Sequence, residues 1–61
     1  MQLVLTDPAY TERLAAFLRS VGQRPIVRGP DALEVDAPED ELEVYLRVWH
    51  VLHPEGTVTL H

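Results

Sequence analysis

An α+β fold, two helices laid on one face of a four-stranded antiparallel sheet, is what the sequence predicts. Three observations carry it. Two stretches, Pro8 to Val21 and Pro38 to Pro54, repeat apolar residues at helical spacing. Short runs rich in Leu and Val precede, separate and follow them. Turn residues punctuate the joins at Gly22, at Gly29-Pro30-Asp31 and at Pro54-Glu55-Gly56.

Gln2 to Thr6, QLVLT, is the first strand, and it ends at a helix-start signal. Asp7 supplies an N-cap carboxylate, and Pro8 stands at the first helical position, where a missing N–H costs nothing. Tyr10, Leu14, Phe17, Leu18 and Val21 then fall within an arc of roughly 100°, the width of a stripe that rests on a sheet. Gly22 is the expected residue just past the helix end.

Arg24 to Arg28 and Ala32 to Asp36 read as a hairpin. With a three-residue loop, Arg28 faces Ala32, Val27 faces Leu33, Pro25 faces Val35 and Arg24 faces Asp36. Pro25, Val27, Leu33 and Val35 then share the core face, whereas a two-residue loop would mix the faces. Arg24 and Asp36 become a candidate cross-strand ion pair. Pro25 lacks an N–H to donate, so its strand is expected at a sheet edge. Thr57 to Leu60 is the last strand, with Val58 and Leu60 inward and Thr57, Thr59 and His61 outward. Val4, Ile26 and Ala32 are expected on the open sheet face among polar residues.

The order βαββαβ with short connections points to a ferredoxin-like sandwich, sheet order 4-1-3-2, filling residues 1–61 as one domain. That architecture hosts many unrelated functions and by itself assigns none.

The second helix carries a surplus. Leu42, Tyr45, Leu46, Trp49 and Leu52 form its core-facing arc, and Val44, Val48 and Val51 widen the apolar sector to roughly 220°. Glu43, Arg47 and His50 make the only clean polar strip. Either part of the valine flank packs on the first helix, or it meets a partner; contiguous exposed apolar surface favours the partner. A chain of 61 residues also buries only about 60% of its unfolded surface. With no cysteine to staple it, oligomerisation is the expected remedy. The acids Glu39, Asp40, Glu41 and Glu43 suit the first turns of a helix, where the dipole favours negative charge.

Ten acids against five arginines give a formal charge of −5. That balance excludes a nucleic-acid or anionic-membrane surface as partner. No apolar run approaches the roughly 20 residues needed to span a bilayer. The N-terminus lacks the pattern of a signal peptide, so cytoplasmic residence is expected.

No catalytic set emerges. Ser20 is the only serine and has no His–Asp arrangement near it in sequence. No Gly-rich phosphate loop is present. His50 and His53 lie three residues apart, but the topology sends His61 to the other end of the domain. Asp7 and His53 share one end and are the candidates for a small-molecule or metal site. The turn Thr6-Asp7-Pro8-Ala9 resembles the strand-to-helix turn of amino-acid-binding ACT domains. It lacks the glycine after the proline, so the resemblance implies the fold and no ligand site. The expectation is a non-enzymatic interaction or homodimerisation module without cofactor, docking through Val44, Val48 and Val51. The alternative is a regulatory ligand-binding domain using Asp7 and His53.

Overall fold

The computed structural model describes residues 1–61 and runs β1 (Gln2–Leu5), α1 (Thr11–Ser20), β2 (Ile26–Gly29), β3 (Ala32–Glu34), α2 (Glu39–Leu52) and β4 (Val58–Leu60). The sheet order is β2-β3-β1-β4, which is 4-1-3-2 read from the opposite edge. Every neighbouring pair is antiparallel. This is the expected α+β sandwich.

Asp7 does cap the first helix, its Oδ1 accepting from the Ala9 N–H at 3.0 Å. Pro8–Tyr10 forms one 3-10 turn before the α-helix proper begins at Thr11. At the other end Gly22 takes φ +88. There the Gln23 and Gly22 amides donate back to the Leu18 and Arg19 carbonyls, which closes the helix in a Schellman turn. α2 starts after Pro38 with Glu39, Asp40 and Glu41 in its first turn, where the positive end of the helix dipole favours their charge.

The hairpin needs a correction. Val27 does face Leu33, but Gly29 rather than Arg28 faces Ala32, and the loop is Pro30-Asp31. Arg28 is the extra residue of a bulge. A bulge lets a two-residue loop close while keeping Val27 and Leu33 on one face. Two contacts hold the loop against the body: the Leu5 N–H donates to the Asp31 carbonyl, and the buried Thr11 hydroxyl donates to the Pro30 carbonyl at 2.7 Å. Arg24 and Asp36 lie beyond the paired residues and form no ion pair; the one ion pair in the fold joins the Met1 ammonium to Glu34 at 3.3 Å.

Leu3, Leu5, Leu14, Ala15, Leu18, Leu33, Val35, Leu42, Leu46, Trp49 and Val58 form one continuous core. Two residues expected inward stay substantially exposed. Val27 sits on the edge strand β2, at the margin of the helical layer. Leu52 belongs to the last turn of α2, beyond Trp49. Thr11 and Ala15 take buried positions on α1 that an apolar stripe did not mark, while Tyr10, Phe17 and Val21 are only half-buried.

Candidate functional site

α2 has two unlike sides. Leu42, Leu46 and Trp49 are buried, whereas Val44, Val48 and Val51 are 57%, 51% and 80% exposed. Leu52, 60% exposed, extends the same ridge. At about 100° per residue these four side chains occupy one continuous arc of the helix, the valines on the side away from the sheet and Leu52 at the arc's margin nearest the core. Full burial of each is worth about 1.5–3 kcal/mol, so much of that free energy is not realised in the isolated chain. A standard interface covers about 800 Å² per partner, about a fifth of this chain's 3784 Å². The valine ridge can supply the apolar centre of such a patch and the polar residues beside it the rim.

The Asp7/His53 end is built differently. His53 caps α2, its N–H donating to the Trp49 carbonyl at 2.7 Å. Its ring packs at a tilt against the Trp49 indole with centroids 4.2 Å apart and meets Tyr10 edge-on at 6.0 Å. Trp49 also meets Tyr10 edge-on and Phe17 at a tilt. The indole N–H donates to the Gly56 carbonyl at 2.7 Å, so the one polar atom of this buried ring is satisfied. Gly56 itself is buried. A Cβ there would stand 3.1 Å from the Trp49 ring and 3.2 Å from the Tyr10 ring. The chain passes closely between them, and a side chain there would have to push one of the rings aside.

Tyr10 is held from both sides. Its hydroxyl donates to Glu55 Oε2 at 2.8 Å, and the Arg13 guanidinium lies over the ring at 5.2 Å. The hydrogen bond to Glu55, then partial burial and the Glu55 charge, raise the phenol above its ordinary value; Arg13 pulls the other way.

These contacts commit the residues singled out at this end. The Asp7 carboxylate serves the Ala9 N–H, and no hydrogen bond joins it to His53. No three His, Asp or Glu side chains converge as metal ligands. His61 exchanges backbone hydrogen bonds with Gln2, at the opposite end of β1 from Asp7. The arrangement ties the C-terminus of α2 to the start of α1, a structural task. Sequence spacing missed this cluster because Tyr10 lies far from Trp49 and Gly56 in the chain and the turn at Pro54 folds Gly56 back onto the ring. Gly56 after Pro54-Glu55 looked like an ordinary turn residue.

A third feature is a shallow groove of about 340 Å³ between α2 and β4, lined by Glu43, Leu46, Arg47, His50, Val58 and Leu60. His50 Nε2 accepts from the Val58 N–H at 3.3 Å along it. The polar strip of α2 thus looks over the β4 edge, while the valine ridge faces away. No helix is long and apolar enough to cross a membrane. No protein-family model, curated protein or solved structure matches the chain.

Proposed function

We propose that the chain is a non-enzymatic interaction module that forms a homodimer through the Val44–Val48–Val51 flank of α2. The observation that carries this reading is the ridge itself: four large apolar side chains, each at least half exposed, side by side on one helix. A second copy is the simplest occupant, because an apolar ridge is complementary to itself across a two-fold axis. The size of the domain supports the same reading, since so small a core gains proportionately from added burial.

Sedimentation and thermal melting across a concentration series test the proposal. A homodimer shows twice the chain mass and a melting temperature that climbs with concentration. Val48→Glu places a charge at the centre of the ridge, so it should lower the mass by removing the association made through the ridge while the chain stays folded. An unchanged mass for Val48→Glu would remove this interface. A wild-type monomer at all concentrations would remove self-association through it. A ligand-binding role for Asp7 and His53 has less support, because the cap and the ring packing already occupy both groups.

A further inference from the structure

We infer that β4 is a second, independent self-association edge, along which two copies pair antiparallel and join their four-stranded sheets into one. The inference does not rest on the valine ridge. Gln2 and His61 exchange both backbone bonds, and the Thr6 N–H donates to the Thr57 carbonyl. In an antiparallel ladder such pairs alternate with pairs whose polar groups point away. Val58 and Leu60, opposite Leu5 and Leu3, therefore direct their N–H and C=O groups outward from the sheet. His50 takes the Val58 N–H. The Leu60 N–H and both outward carbonyls have no partner within the fold.

The two edges of the sheet are treated unequally. β2 carries the devices that discourage pairing: Pro25 just before it, Arg24 and Arg28, and a bulge at Arg28. β4 has no proline, charge or bulge, and its one cover is the His50 ring on the Val58 N–H. Its residues Val58, Thr59 and Leu60 are uncharged, free of proline and in regular register with β1. An edge left flat and neutral is the one that can accept a strand.

The surroundings favour a second copy as that strand. Beside the edge lies the groove, with Leu46, Val58 and Leu60 as its apolar part and Glu43, Arg47 and His50 along the helix. Neither Glu43 nor Arg47 has an ion-pair partner in the fold. A two-fold axis beside β4 runs the two α2 helices antiparallel, so a strip carrying both an acid and a base faces its own complement. With the axis at Thr59, each Leu60 N–H donates to the partner subunit's Val58 carbonyl, His50 gives up the Val58 N–H to the partner's Leu60 carbonyl, and the two Thr59 side chains become direct neighbours.

The test uses the Val48→Glu chain, so that the ridge does not contribute. Expected are a concentration-dependent dimer and a Leu60 amide whose hydrogen exchange slows as concentration rises. Thr59→Lys sets like charges opposite each other and should weaken this association about fivefold, with monomer melting unchanged. Glu43→Arg should weaken it also, and adding Arg47→Glu should restore it. A Val48→Glu chain that stays monomeric, or a dimer whose Leu60 amide exchanges at the same rate at every concentration, would overturn the inference. The two interfaces fail separately. A wild-type dimer with an unprotected Leu60 amide leaves the ridge standing and removes the edge, and a protected amide with a mass indifferent to Val48→Glu does the reverse.

Discussion

The two sides of α2 divide the labour of this molecule. Toward the sheet, Leu42, Leu46 and Trp49 are fully or nearly buried, and the indole N–H is satisfied by the Gly56 carbonyl. On the opposite side, one or two residues away in sequence, Val44, Val48 and Val51 stand in solvent. Residue type alone does not separate them, since both sides are apolar. The difference lies in what each side touches. Change on the inner side should therefore appear as lost stability, and change on the outer side as altered association.

Trp49→Ala is the sharpest way to probe that division. Removing a buried Trp costs about 3–5 kcal/mol, comparable with the whole stability expected of a 61-residue domain. It also strips the Tyr10, Phe17 and His53 rings of their shared neighbour and leaves the Gly56 carbonyl without its donor. Circular dichroism of this variant should show a largely unfolded chain at room temperature, while Val48→Glu stays folded. If Val48→Glu unfolds the chain as readily, the outer side is structural and the comparison breaks.

Gly56→Ala asks the same question with one methyl group. The added Cβ meets two rigid rings at 3.1 and 3.2 Å, and neither is the free end of a flexible side chain. Trp49 is fully buried, so relief must come from the half-buried Tyr10 ring or from shifting the β4 approach. A loss of about 1–3 kcal/mol is expected for overpacking of this kind, read from chemical denaturation. Gly22→Ala is the control. Nothing lies near its Cβ, and only its positive φ resists the change, so a smaller loss of about 1 kcal/mol is expected there.

Most of the frame was legible because it depends on local signals. Asp7-Pro8, the 3.6-residue stripes and Gly22 place α1, and the order of elements with short joins yields the sheet. The hairpin misreading shows where local signals stop. Parity correctly put Val27 opposite Leu33, yet parity counts residues and cannot see a bulge that absorbs one. Leu52 fails for a related reason. Helical angle alone aimed it near the core, but the core does not extend under the last turn, and that angle says nothing about where a helix outruns its sheet. The valine flank was legible as a surplus over the arc one sheet can cover. The aromatic cluster around Gly56 was not, because the approach of Tyr10 to Trp49 and Gly56 appears only once the chain is folded. The β4 edge was hidden likewise, since which backbone groups point outward depends on pairing.

The smallest expected effect lies at the margin between the two sides, at Tyr10. Its hydroxyl donates to the Glu55 carboxylate at 2.8 Å, and ionising the phenol would both break that bond and set two negative charges together. The phenol therefore titrates above its ordinary value of about 10. A folded-state value raised above the unfolded one means that the fold holds this proton more tightly. The resulting stabilisation is fully present below the unfolded value and is lost as pH rises through the raised folded value. Glu55→Gln removes the charge and leaves a neutral acceptor, so the Tyr10 phenol should titrate lower. Arg13→Gln removes the opposing cation, so it should titrate higher. An NMR titration of the Tyr10 ring resolves both shifts from Tyr45. If Glu55→Gln leaves the titration in place, the Tyr10–Glu55 bond is not formed in solution, and the tie between α1 and the turn before β4 rests on the aromatic rings alone.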